Sequence, residues 1–322
     1  MYSNDPVKIE VGPPSSQRCS LMSGSTVLIL ADRHDEHAAH VQAVLTARGR
    51  DVVRLTSAGF PGWLQLALDP ATGHGHLVAD EGRRVDFEEL QSVYWRNYSG
   101  VGLAEGLPED QQWIAQNDAR ALFEAFLMLT PARWVNGWSG FTLHQTKPVP
   151  FARVARLGIP VPRTVLTNDP QVVLDFVAAN PRSIVKPVQG GDHAIPIAPE
   201  HLTPKRLETL RFAPITVQEQ IDGTNIRAFV AGERVLGCEI EARTLDYRDD
   251  EAARVVPHAL PEQIVRQSLE IARTLDLVWT GIDYRLDRDG RYVFLEANPS
   301  PMFLGFEEQS GVPLTEALVA LL

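Results

Sequence analysis

Gly281-Ile282-Asp283-Tyr284-Arg285-Leu286, followed closely by Tyr292-Val293-Phe294-Leu295-Glu296-Ala297-Asn298-Pro299-Ser300-Pro301, is the stretch on which the reading of this chain turns. Both halves are apolar runs of strand length, and each carries an acid among its apolar residues. Side chains two apart on a strand share a face, so Glu296 and Asn298 point into one site. With Asp283 on a neighbouring strand they present hard oxygen ligands suited to Mg²⁺, which takes one or two carboxylates and completes its shell with phosphate oxygens and water. Solvated strand-end charges are the plainer alternative. An unpaired carboxylate inside an apolar strand is costly to bury, which favours a shared site.

Working back along the chain, Asn225-Ile226-Arg227-Ala228-Phe229-Val230 alternates polar and apolar residues. Asn225 and Arg227 therefore share a face while Ile226 and Ala228 pack inward, and Arg227 offers a planar fork for a carboxylate or phosphate. Strand Ser183-Ile184-Val185-Lys186 breaks at Pro187 and enters Gln189-Gly190-Gly191-Asp192. Gly190 and Gly191 let backbone N–H groups close over phosphate oxygens without a Cβ clash, and Lys147 and Lys186 each lie where a phosphate could be held. A surface turn and an exposed strand arginine account equally well for these features taken singly. The Gly-x-x-x-x-Gly-Lys spacing of a Walker loop is absent.

The N-terminal part has a different grammar. Thr26 to Ala31 reads as a buried strand; Ala39, Val41, Val44 and Leu45 recur at helical spacing; Arg48-Gly49 closes the helix, and Val52 to Leu55 is a second strand. Strand, helix, strand implies a parallel sheet. Ser92 to Trp95 is a further strand and Trp113 to Leu129 a long amphipathic helix. The expected organisation is a flexible tail at 1–24, an N-terminal α/β domain at 25–134 and a second α/β unit at 135–322. That unit divides into a central lobe at about 135–215 and a C-terminal lobe at about 216–322.

Composition narrows the function. The chain has 322 residues, 44% hydrophobic and 22% charged, enough for two domains with substantial cores. Thirty Lys and Arg against 41 Asp and Glu give a net charge of −11, which disfavours nucleic acid and anionic membranes but leaves room for a local basic pocket. Cys19 and Cys238 cannot build a disulfide framework. No apolar run approaches the roughly 20 residues of a membrane span, and the first 24 residues lack the apolar core of a secretory signal, so a cytoplasmic location is expected. No Ser/His/Asp arrangement is evident, and His34, His37 and His40 at helical spacing read as a solvated helix face.

In order and spacing, Lys147, Lys186, Gly190-Gly191, Val217 to Ile221, Asn225 to Arg227, Asp283 and Glu296-x-Asn298 resemble the ATP-grasp family of carboxylate ligases over about residues 134–322. The N-terminal strands, Phe60-Pro61, Val93 to Arg96, Gly158 to Pro170, Asp246-Tyr247-Arg248 and Asn298 to Phe303 extend the resemblance to microviridin-type peptide ligases, the graspetide synthetases. That resemblance implies an N-terminal parallel-sheet pre-ATP-grasp domain followed by a two-lobed ATP-grasp domain. It implies ATP as substrate, its phosphates on Lys147 and Lys186, its adenine on the backbone of Gln218, Glu219, Gln220 and Ile221, and its ribose near Asn225, where RimK-like members usually carry Asp. Asp283, Glu296 and Asn298 would hold Mg²⁺, as two ions. Lys186, Arg227 and Arg248, helped by Arg243, would serve transfer and the substrate carboxylate.

Members of this group join Asp or Glu side chains of ribosomal precursor peptides to Ser, Thr or Lys side chains. The implied partners are a precursor with a leader and a Thr/Asp/Glu-rich core, and a second copy of the chain in a homodimer. The region from about 160 to 215 is the implied leader-docking surface. A RimK-like ligase acting on a peptide terminus or small metabolite would share every nucleotide-site residue. A nucleotide-gated peptide-binding protein is the non-enzyme alternative, and it has no need of buried Asp283 and Glu296.

Overall fold

Five consecutive buried residues, Thr26–Leu30, form β1, and helix α1 (Glu36–Ala47) starts where the Asp35 carboxylate accepts the Ala38 N–H at 2.7 Å. A capping acid satisfies one of the helix's orphan donors and complements its dipole. β2 (Asp51–Leu55) pairs parallel with β1. A small antiparallel sheet of β3 (Gln65–Leu68), β4 (Gly75–Val78) and β5 (Arg84–Asp86) intervenes before β6 (Leu90–Trp95) returns parallel to β1. Helix α2 (Glu109–Leu129) buries Phe123, Phe126 and Leu127 in the core beneath this sheet, and β7 (Arg133–Val135) completes the parallel order β2-β1-β6-β7.

This computed structural model describes residues 24–79, 82–102, 106–189, 193–243, 250 and 252–322. Most of the expected tail, Gly190, Gly191 and Arg248 therefore lie outside the described residues.

Next come α3 (Trp138–Gln145) and α4 (Pro148–Arg156), whose first residue is a proline, the one residue that loses nothing at a helix start. They lead into β8 (Thr164–Thr167), α5 (Pro170–Ala179), β9 (Ser183–Pro187), β10 (Ile195–Pro196), α6 (Pro204–Leu207) and β11 (Ile215–Glu219). Their antiparallel sheet has the order β10-β9-β11-β8.

The remaining elements are β12 (Thr224–Ala231), β13 (Arg234–Glu241), β14 (Arg254–Pro257), α7 (Glu262–Thr274), β15 (Trp279–Leu286), β16 (Tyr292–Asn298), α8 (Leu304–Ser310) and α9 (Leu314–Val319). The sheet order is β14-β13-β12-β15-β16, antiparallel throughout. Period-two alternation gives this sheet two buried faces. Ile226, Ala228, Val230, Ile282 and Phe294 pack with Ile264 and Ile271 of α7 and Val154 of α4. On the other face Phe229, Ala231 and Trp279 share one cluster with Phe306, Leu314 and Leu318, and also with Val27 and Ile29 of β1. The parallel N-terminal sheet and the C-terminal sheet thus close on a common core.

One expectation fails here. His37 is buried and its ring lies 4.8 Å from that of Phe303, because α1 docks its first turn against the segment leading into α8. Burial, with the nearby Arg96, lowers its pKa to about 4, so it sits in the core as the neutral imidazole. No described helix is long and apolar enough to cross a membrane.

Candidate active site

Strand register builds the site. Arg227 on β12, Asp283 on β15 and Glu296 on β16 are successive cross-strand partners, a row running across the sheet. The ladder shifts between Asp283 and Tyr284, so that Asp283 faces Glu296 while Tyr284 faces Phe294 and Leu295 is the extra residue. Such bulges re-aim side chains and are common beside active sites. Arg227 donates from Nε and Nη2 to the two Asp283 oxygens at 2.6 and 2.8 Å, and its guanidinium lies 4.8 Å from the Phe306 ring centre. It is a buried, bidentate arginine, not an exposed one.

Lys147, immediately before α4, donates to Glu296 Oε2 at 2.8 Å. Burial disfavours the Glu296 carboxylate, but Lys147, Lys186 and His144 together outweigh it and hold Glu296 below the usual range. For Asp283 burial wins over the pull of Arg227, and the pKa is raised. Lys186 on β9 donates to Gln218 Oε1 at 3.1 Å, and Gln218 Nε2 donates to Thr164 Oγ1 at 2.8 Å. Burial lowers the pKa of Lys186 against the attraction of Glu296, leaving an ammonium that gains from an anion brought beside it.

These groups surround a cavity of about 480 Å³ between the C-terminal sheet and the β10-β9-β11-β8 sheet. Lys147, Lys186, Gln218, Glu219, Gln220, Ile221, Asn225, Arg227, Asp283, Glu296 and Asn298 all line it. Arg243 does not. It lines an adjacent depression with Asn225, where its backbone N–H and guanidinium bind Asp250 at 2.7 and 2.9 Å and hold that acid well below the carboxylate range.

Among the lining residues given no role from the sequence are His144, Arg285 and Met302. His144 Nδ1 lies 3.1 Å from the Ala297 carbonyl, which can only accept, so Nδ1 carries the proton. Burial, aided by Lys147, lowers its pKa to about 4. It lies in the last turn of α3 while Lys147 stands just ahead of α4, so no helical spacing joins the two and the local sequence carries no signal that finds it.

The donor set fits Mg²⁺. Among the described residues no three His, Cys, Asp or Glu cluster into a self-sufficient metal site. Two carboxylates and an amide, all oxygen donors in one cavity with two lysines, require phosphate oxygens to complete a shell, which is the arrangement Mg²⁺ favours.

A cavity between two antiparallel sheets, lined by two lysines and by hard oxygen donors, is the setting of an ATP-dependent ligase of the ATP-grasp class. The RimK-like ATP-grasp domain model matches residues 146–322, and the chain belongs to that family. The MvdD pre-ATP grasp domain model matches residues 26–140. No curated protein matches the chain. Among solved structures, the ATP-grasp ligase PsnB, complexed with a phosphomimetic variant of minimal precursor, Mg and ADP, is 27% identical with a TM-score of 0.78. That match covers 93% of this chain and 99% of PsnB.

The macrocyclase MdnC bound with precursor peptide MdnA from Microcystis aeruginosa MRC is 23% identical, TM-score 0.80, covering 92% of this chain and 99% of MdnC. A RiPP-associated ATP-grasp ligase of Chryseobacterium gregarium, in complex with ADP and a leader and core peptide, is 20% identical, TM-score 0.80, covering 92% and 96%. These two share the fold. The expected resemblance to graspetide synthetases is borne out, and ATP and Mg²⁺ are the cofactors of this enzyme.

Proposed function

We propose that the chain activates Asp or Glu side-chain carboxylates of a ribosomal precursor peptide with ATP and joins them to Ser, Thr or Lys side chains, closing ω-ester or ω-amide rings. The observation that carries this reading is the match to PsnB over nearly the full length of both chains, N-terminal domain included. A carboxylate is a poor electrophile. One of its oxygens attacks the γ-phosphorus, the bond to the bridging oxygen breaks, and ADP leaves an acyl phosphate. A hydroxyl or amine then attacks the acyl carbon, phosphate departs with the carboxylate oxygen, and the nucleophile's proton passes to solvent.

Lys147 and Lys186 bind the phosphates and neutralise the charge that shifts in transfer. Gln218 to Ile221 hold the adenine and Asn225 the ribose. Asp283, Glu296 and Asn298 would hold the metal, which would supply charge neutralisation for the phosphates. Arg227, paired with Asp283, faces the acceptor carboxylate or acyl phosphate, assisted by Arg248 and, from the neighbouring depression, Arg243. Catalysis on this reading is positioning plus electrostatics, with no covalent protein nucleophile. The reading includes a leader-bearing precursor, a homodimer, a cytoplasmic setting, and domain and lobe divisions near residues 134 and 215 as the joints of the machine.

Purified chain with ATP, Mg²⁺ and the small Thr- and Asp/Glu-rich peptides encoded beside its gene tests the proposal by intact mass. The expected result is loss of one water per ring. ATP turnover with a peptide that gains an amino-acid residue would instead establish RimK-like extension. Unchanged mass across all candidates contradicts ring closure.

A further inference from the structure

Strand β16 ends at Asn298, and the chain beyond it leaves the ladder that would satisfy its backbone. Four consecutive carbonyls in this exit are each held by a side chain. Ala297 O is bound by His144 Nδ1 at 3.1 Å, Asn298 O by Thr280 Oγ1 at 2.8 Å, Pro299 O by Asn136 Nδ2 at 2.6 Å, and Ser300 O by Arg96 Nη1 at 2.7 Å. The Asn298 amide oxygen itself accepts the Ser300 N–H at 3.0 Å. Whatever fixes Ser300 therefore fixes the oxygen that Asn298 presents.

The outermost of these holders comes from the N-terminal domain. Arg96 follows β6 and is only 9% exposed. Its Nε lies 3.2 Å from the Asp35 carboxylate, which also accepts from Asn97 Nδ2 at 3.1 Å and caps α1. Ser300 Oγ in turn donates to the Arg96 carbonyl, so the two residues grip each other. A buried guanidinium is expensive to desolvate, and packing alone would be served by an apolar residue. Among the described residues, the N-terminal domain places no side chain in the cavity.

We propose that Arg96, held by Asp35, is a positioning residue for metal binding: through Ser300 it sets the Asn298 amide oxygen, so the N-terminal domain contributes to metal affinity without touching the metal. This rests on reading Asn298 and Glu296 as ligands. Partners one step removed from a metal ligand typically matter to affinity, because they fix the ligand's orientation before the ion arrives.

The test uses full-length chain and Mn²⁺ in place of Mg²⁺, titrated by electron paramagnetic resonance in the presence of saturating ADP. Arg96→Lys keeps the charge but loses the fork, and its Mn²⁺ midpoint should rise about tenfold, with metal-free ADP affinity at the parent level. Ser300→Ala should raise it less, and the double variant no further than Arg96→Lys alone, since both act through one contact. An unchanged midpoint in folded Arg96→Lys, or equal loss of metal-free ADP binding, overturns the proposal. If Arg96→Lys does not fold, Ser300→Ala decides: a raised midpoint supports the proposal and an unchanged one overturns it. Asn298→Ala separates the two layers. If it weakens Mn²⁺ binding while Arg96→Lys does not, the ligand assignment stands and the positioning role falls. If neither Asn298→Ala nor Glu296→Gln moves the midpoint, the ligand assignment falls and the proposal with it.

Discussion

The sheet that carries Lys186 and Gln218 rests on a small buried cluster, Val173, Leu207, Leu210 and Val217, while the sheet that carries Asp283 and Glu296 is covered on both faces by larger ones. The first sheet has strands of two to five residues; the second is built around β12, β13 and β15, each of eight. Around the first, Leu166, Ile195 and Phe212 remain 40%, 49% and 75% exposed. Around the second, the exit of β16 has every carbonyl from Ala297 to Ser300 held by a side chain. The wall that carries Asp283, Glu296 and Asn298 is thus held firmly on both faces and at its exit. The wall that supplies Lys186 rests on the smaller cluster, and regions of low buried contact open at low free-energy cost.

The largest expected effect tests the fixed wall. Glu296→Gln removes the charge that Lys147 and Lys186 both balance, and ADP formation should fall by about 10²–10³-fold, the loss typical of removing one charge-stabilising group. Steady-state ADP release, with a thermal midpoint near that of the parent, checks it. An active variant would remove Glu296 from the metal site.

Next in size are the two cores. Leu318→Ala beneath the C-terminal sheet and Leu210→Ala beneath the sheet that carries Lys186 each delete a buried leucine, worth about 2–5 kcal/mol. Leu318→Ala should lower the global urea midpoint with little change in the KM for ATP. Leu210→Ala should raise the KM for ATP with a smaller global loss. The reverse pattern would erase the distinction between the walls.

The pH dependence of stability is a smaller effect, and it belongs to the fixed side. His37 and His144 have folded pKa values of about 4, below the ordinary 6.5, so the unfolded chain binds more protons between these values. Stability is therefore full above about pH 6.5 and is lost as pH falls toward 4, at up to about 1.4 kcal/mol per pH unit for each histidine. Urea midpoints across that window should fall, and less steeply in His37→Gln. A flat profile would contradict the buried neutral imidazoles. The smallest effect is that of Thr164→Val, which removes the acceptor behind Gln218 and Lys186. A loss of about 1 kcal/mol in ATP binding, seen as a rise in KM, is expected, with no change in global stability.

Much of the fixed wall was legible because it is written in strand periodicity. An acid among apolar residues at Asp283 and again at Glu296 is a local anomaly that one chain displays by itself. Lys147 and Lys186 were legible as lysines but not as partners. The first finds Glu296 across 149 residues and the second finds Gln218, whose side chain, beyond its assigned backbone role, bridges to Thr164. The register shift at Leu295 and the burial of His37 depend on which elements dock, and periodicity is silent on that. The β3–β5 sheet was missed because its strands are three or four residues long, too short to show alternation. The grip of Arg96 on Ser300 joins residues 204 apart, with nothing in either local sequence to announce it.

The chemistry proposed for this cleft stands or falls on the fate of one oxygen atom. A precursor peptide carrying heavy oxygen in its Asp and Glu side-chain carboxylates, incubated with the enzyme, ATP and Mg²⁺, should release phosphate bearing one heavy oxygen for each ring closed. Rings formed with unlabelled phosphate would show that the carboxylate was never phosphorylated and would contradict the account.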